Sequence, residues 1–430
     1  MQILIYSIAA ALFVSLVLWS PMAIVYLLLG YMVFNGYSSR PFMENVLKVT
    51  FGNVNVYPLD ILFASMVMLI LFYLIKRIIG ISRARVISKE ARLATGLIVL
   101  YFLLFSGKFV AGYFEGVPPQ TLIRLFAVDI QCVYFFLPLF FLKNEIQLRR
   151  LLYFLLFISL IFPFGQLLMV GSRDTQYILQ GQGTLRLGYG ESSLFLAFAV
   201  IAFFAWERKM TAAVIPAVGL VMLAHRSAFI GIAVSLVTLS FLKGKKLKTN
   251  IILGLMGVLV IGVLFVVQEA TSIRVFDKGI ERAAETFEKT STTKARFGAI
   301  SQTFDVLAEH PIVGLSYGDL YKLEKRAETS ALAFNILHSH NFFLTSLSHT
   351  GLVGTILLSW IIVYVLSCSR HLSRMSGKKE TGAFLFACVL FFVIFSLMNT
   401  SFGSAGFLFW ILSGTVFWYF NEAKAAQGRA

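Results

Sequence analysis

Residues 341–367 read NFFLTSLSHTGLVGTILLSWIIVYVLS. This run of 27 residues contains no Asp, Glu, Lys or Arg. As a helix it would be about 40 Å long, enough to cross a hydrocarbon core of about 30 Å. It is entered through His338-Ser339-His340, the end of a polar stretch that begins near Gln268. An oily span fed by a long polar segment is the unit from which the rest of the fold follows.

Apolar runs of similar kind recur along the chain. The 430 residues are 58% hydrophobic and 13% charged, against about 25% charged in soluble domains. This predicts an all-α, polytopic membrane protein. The alternating ten-residue segments of an outer-membrane barrel are absent from the sequence. Met1-Gln2-Ile3-Leu4 lacks a basic n-region, so the first segment is expected to be a membrane span and not a removable signal. Cys132, Cys368 and Cys388 lie in or beside apolar runs, far apart, and are expected to be packing residues.

The net charge of +16 sits mainly in short loops. Lys76, Arg77, Arg83, Arg85, Lys89 and Arg92 form one cluster, and Lys143, Arg149 and Arg150 another. Others are Arg208/Lys209, Lys243 to Lys248, and Arg370 to Lys379. The positive-inside rule puts all of them in the cytoplasm, with anionic lipid and not nucleic acid as the partner. Spans are then predicted near 61–75, 96–112, 122–142, 151–171, 191–206, 211–225, 227–242, 251–268, 341–367, 381–399 and 405–420. With the N-terminal segment this gives about 12 transmembrane helices and one long extracytoplasmic helical loop. The division is 1–267, an N-terminal transmembrane bundle; 268–340, an extracytoplasmic (periplasmic) loop domain; and 341–430, C-terminal transmembrane helices with a short cytoplasmic tail.

Within the loop, acidic and basic residues nearly balance. Residues 272–289 have the spacing of an amphipathic helix. Residues 294–309 predict a second helix, stopped by Pro311. Gly314-Leu315-Ser316-Tyr317-Gly318 reads as a tight loop, and 319–337 as a short helix and a connection.

Several residues then line up as a pattern. Arg296 opens a helix, His310-Pro311-Ile312-Val313-Gly314 follows, then Gly318, then His340-Asn341-Phe342-Phe343-Leu344 and Gly351-Leu352-Val353-Gly354. Upstream stand Ala224-His225-Arg226-Ser227-Ala228 and Arg186 to Ser192. The pattern resembles the O-antigen ligase and O-antigen polymerase superfamily over roughly residues 180–365. The chain departs from it at His349, Ser192 and Gly298-Ala299.

The resemblance implies an inverting, GT-C-like glycosyltransferase of the bacterial inner membrane, with a periplasmic active site. It implies a donor glycan on undecaprenyl pyrophosphate and an acceptor that is another lipid-linked glycan or lipid A-core. The Phe-rich spans lean toward repeat-unit polymerase over ligase. No cofactor and no metal are expected.

The chemistry sets its own demands. A sugar hydroxyl must lose a proton as it attacks, and a histidine suits a general base. A departing pyrophosphate gains charge that arginine forks stabilise. His340 is therefore the candidate base, and Arg226, Arg296 and Arg186 the candidate pyrophosphate ligands. Asn341, His338, His310 and Tyr317 are candidate supporting residues. Plainer roles stand beside these. His340 could simply begin a helix at the interface, Arg226 could snorkel, and Arg296 could start a solvated helix. Arg124 and Asp129, with Lys108, could form an intramembrane structural network. Those intramembrane charges would also suit a lipid-linked oligosaccharide flippase. Such a transporter, however, gives the long histidine-ending loop no purpose.

Overall fold

The computed structural model describes residues 88–169, 192–206, 213–223, 226–243, 291–327, 341–397 and 406–427, with isolated pieces between 15 and 75. The predicted helix at 272–289 and span at 251–268 lie outside the described residues.

Helices occupy most of the predicted spans. They are α1 (Lys89–Phe114), α2 (Pro119–Asp129), α3 (Phe136–Phe141), α4 (Glu145–Met169), α5 (Ser192–Trp206), α6 (Val214–Leu223) and α7 (Arg226–Lys243). The polar stretch supplies α8 (Ser291–Glu309) and α9 (Tyr317–Ala327), and the chain then runs through α10 (Phe342–Leu372), α11 (Lys379–Ser396) and α12 (Gly406–Gln427). Among the described residues, α1, α10 and α11 are long and apolar enough to cross a membrane. A bent pair over 119–141 would make a fourth crossing. One departure from helix is a short antiparallel hairpin, β1 (Val49–Phe51) with β2 (Val54–Val56), in which Val49 faces Val56.

The sequence of α12 explains its place. It is apolar on every side, and each residue from Gly406 to Asn421 is buried. A helix without a polar face has to be surrounded. It packs against α1, α3, α10 and α11. Gly414 allows the closest approach, because a Cβ there would strike the Phe135 carbonyl.

By contrast, α1 is two-faced. Ala91, Ala94, Ile98, Tyr101, Phe105, Lys108 and Gly112 repeat at steps of three and four, and all are buried. The other side shows Leu93, Leu100, Leu103 and Val110, all exposed and all apolar. Apolar groups on an outer face are the mark of a lipid-facing surface. Lys108 belongs to the inner stripe.

The basic loops converge at one end of the bundle. Lys424 pairs with Glu90, and Lys378 with Glu145. Ser88 N–H donates to Asn421 Oδ1 at 3.0 Å. Trp418 Nε1 donates to the Leu142 carbonyl at 2.7 Å. Lys243 reaches the Ala205 carbonyl, and Lys379 the Lys243 carbonyl at 3.5 Å. The other end of α1, about 39 Å away by helical rise, meets the start of α9. Among the described residues, these basic helix ends lie at the end of α1 opposite Glu115.

The run 122–142, expected as one span, is broken. After Asp129 the chain passes through a 3-10 stretch, Ile130–Phe135, and residues 130–141 are bent by 47° from residues 119–127. Asp129 stands at the break, and its carboxylate is engaged by the polar segment described below. Mid-helix 3-10 stretches often mark a hinge or a strained stretch of sequence.

The Gly414 contact yields a first test. Gly414→Ala should destabilise the protein by about 1–3 kcal/mol, because its neighbour is backbone and cannot move aside. Gly107→Ala, whose Cβ would meet nothing within 4 Å, should not. Thermal unfolding midpoints in detergent would show the difference.

Candidate functional site

The polar segment and α10 are joined backbone to backbone. Asn341 caps α10: its Oδ1 accepts from Phe343 N–H at 2.9 Å and Leu344 N–H at 3.1 Å. This is the role for which Asn is favoured at a helix start. Ten residues on, Gly351 adopts φ +61°, ψ −163°, and the helix breaks inside its apolar run.

A break in an intramembrane helix frees backbone groups that water cannot reach. Here each has an identifiable partner. In a straight helix Leu352 N–H would bond to Ser348 O, and Val353 N–H to His349 O. Instead Leu352 N–H donates to Pro311 O at 3.0 Å and Val353 N–H to Ile312 O at 3.1 Å. The abandoned Ser348 carbonyl accepts from Leu315 N–H at 2.9 Å. The abandoned His349 carbonyl accepts from the Lys108 ammonium.

The partner turn follows from its own sequence. Pro311 stops α8, and Gly314 N–H closes the turn onto His310 O at 3.2 Å. Gly314 sits at φ +69°. A Cβ on Gly314 would come within 2.6 Å of Gly351 N, and one on Gly351 within 2.5 Å of Ile312 O. The two glycines permit one interlock.

The start of α9 is held as firmly. Ser316 N–H donates to Asp319 Oδ2 at 3.2 Å, and Ser316 Oγ accepts from Asp319 N–H at 3.1 Å, a reciprocal capping box. Glu115, just past α1, accepts from Gly318 N–H at 2.9 Å and Ser316 Oγ at 2.7 Å. A carboxylate at a helix N-terminus is favoured by the helix dipole. Tyr317 is buried against Gly112, and its hydroxyl donates to Asp129 Oδ2 at 2.9 Å. Burial, then the Asp129 carboxylate, pushes the Tyr317 phenol far above its ordinary range, so it remains a donor.

The predicted site residues fall into two groups. His310, Tyr317 and Asn341 belong to the interlocked unit, as turn former, anchor and cap. Arg226 opens α7, whose far end, Lys243, is at the basic loops. By helical rise this sets the Arg226 backbone about 26 Å from that end. Arg296 lies on α8, which packs against α10. The side chains of both arginines, and all of His338, His340 and Arg186, lie outside the described residues. Sequence reasoning missed Glu115 and the Ser316–Asp319 box. The S-x-x-D spacing before α9 was the available signal for the latter.

Residues 211–359 match the family model described as O-antigen ligase. The match supports the O-antigen ligase/polymerase superfamily for this segment, and the apolar helices α1, α10 and α11 suit a membrane protein. None of the curated proteins matches the chain.

Two substitutions examine the interlock. Gly351→Ala should cost about 1–3 kcal/mol for a backbone conformation that essentially only glycine adopts, plus the clash with Ile312 O, and should lower the melting midpoint sharply. Asn341→Ala should cost about 1 kcal/mol as a lost cap, whereas Asn341→Asp keeps the cap and should stay close to wild type. If Asn341→Asp melted like Asn341→Ala, capping would not be its role.

Proposed function

We propose that the chain transfers a glycan from undecaprenyl pyrophosphate to an acceptor hydroxyl at the outer face of the bacterial inner membrane, joining one lipid-linked repeat unit to another. One observation carries the reading. The segment 211–359 that matches the family model contains Arg226, Arg296, His310, Tyr317, His338, His340 and Asn341, and much of its described part is a single interlocked unit.

In this reading the acceptor oxygen attacks the anomeric carbon as the bond from that carbon to the pyrophosphate oxygen breaks. His340 takes the acceptor proton. The pyrophosphate leaves with the bonding electron pair, and Arg226 and Arg296 balance its charge, with Arg186 as a third ligand. Direct attack inverts the anomeric configuration. Arginine suits this work because its fork binds phosphate oxygens in pairs and never deprotonates.

Sidedness rests on the positive-inside rule. The clustering of basic loops at one end of the bundle supports it, since Glu115 and α9 meet at the other. The domain boundaries 1–267, 268–340 and 341–430 belong to the same proposal. In this reading His340 immediately precedes in sequence the capping residue Asn341, where the polar segment enters α10.

A second reading is ligation of the finished glycan to lipid A-core. The description of the matching family, O-antigen ligase, favours it.

Purified protein supplied only with lipid-linked repeat units should lengthen the glycan if it is a polymerase. Growth only when lipid A-core is added would make it a ligase. His340→Ala should reduce transfer by about 10²–10⁴-fold, the usual worth of a general base, at unchanged expression. Full activity in His340→Ala would remove His340 from the chemistry.

A further inference from the structure

We infer that Lys108 is a positioning residue that sets the broken helix α10, and with it the head of that helix at Asn341, in its working geometry. In its mechanistic half the inference rests on the glycosyl-transfer reading above. In its structural half it does not.

Four elements meet at this side chain. Lys108 belongs to the inner stripe of α1 and is 6% exposed. Its ammonium donates to the His349 carbonyl on α10. It lies 5.6 Å from the centre of the Tyr317 ring at the start of α9. Tyr317 in turn donates to Asp129 at the break after α2. A cation among an aromatic face, a carbonyl and a nearby carboxylate is well matched to its surroundings.

The carbonyl it takes is the informative one. His349 O is the acceptor that Val353 N–H abandons when α10 breaks at Gly351. The Pro311–Leu315 turn supplies partners for Leu352 N–H, Val353 N–H and Ser348 O. For His349 O the described donor comes from α1. The turn therefore joins the two arms of α10 to the polar segment, and Lys108 joins the upper arm to the membrane bundle. Without that tie the arm that begins at Asn341 loses its bond to α1 and is held to the turn through Ser348 O and Leu315 N–H, which leaves it freer to pivot about Gly351. Any group held at the head of that arm would lose its register with arginines on α7 and α8.

Lys108→Met keeps the stem but cannot donate, and Lys108→Arg keeps charge and donor. Spin labels at Leu344→Cys on the upper arm of α10 and Val363→Cys on its lower arm span the kink at Gly351 and report it directly. Cys132, Cys368 and Cys388 are buried and leave these as the reactive thiols. The wild type and Lys108→Arg should give one narrow distance, and Lys108→Met a broadened or doubled one. In the chain-growth assay Lys108→Met should lose at least about tenfold in kcat, as a small misplacement does, with KM within about twofold. Lys108→Arg should recover much of the loss. Should Lys108→Met fail to fold, Lys108→Gln takes its place with the same expectations. An unchanged distance distribution in a folded variant overturns the inference. So does a rise in KM at constant kcat, which would make Lys108 a substrate ligand. If the wild type forms no glycosidic linkage with or without lipid A-core, the glycosyl-transfer reading falls, and the spin-label distances still decide whether Lys108 holds the kink.

Discussion

A break in an apolar helix is the constraint on which the described structure depends. At Gly351, α10 gives up two internal hydrogen bonds in a place where water offers no substitute. Each orphaned group would cost several kcal/mol in hydrocarbon. The chain meets the demand from two directions. The Pro311–Leu315 turn offers two carbonyls and an N–H, and Lys108 brings its ammonium from α1. The turn can dock only because Gly314 and Gly351 both lack a Cβ and both accept positive φ. A segment that looks like a loop in sequence thereby becomes part of the bundle.

The remaining contacts extend the same logic. Glu115 and the capping box hold the first turn of α9, and Tyr317 carries that anchor down to Asp129. The helix break after Asp129 is then the counterpart of the break at Gly351: in each, polar groups within the bundle are matched to the stretch from Pro311 to Tyr317. At the opposite end, Lys424–Glu90 and Lys378–Glu145 bring the basic loops together around α12. The result is a bundle with one electrically basic end and one end occupied by the polar segment.

Much of this was legible in the sequence, and for physical reasons. Apolar runs located the helices because a bilayer imposes length and composition together. Pro311 marked the end of α8, and the basic clusters sorted the loops into two groups. Lys108 could have been assigned inward from its place in the stripe Tyr101, Phe105, Gly112. The interlock was not legible as geometry. His-Pro-x-x-Gly and Gly-Leu-x-Gly stand out as motifs, but nothing in either says that they bind each other, because the bonds are main chain to main chain. The break after Asp129 was hidden for a similar reason: an apolar run looks continuous until the partner of its one carboxylate, Tyr317 of a distant helix, is known. Asn341 was legible as a polar residue beside His340, yet its visible work is to cap a helix. The structural duties of His310, Tyr317 and Asn341 depend on contacts with distant segments that the sequence does not display.

The proposal joins this scaffold to a reaction in which a bond to pyrophosphate is broken. The most direct measurement is the release of undecaprenyl pyrophosphate by the purified protein in a bilayer, followed together with formation of new glycosidic linkages. The expected result is one undecaprenyl pyrophosphate released for each linkage formed. Movement of intact lipid-linked glycan across the bilayer, with no release and no new linkage, would contradict the account and make the chain a transporter.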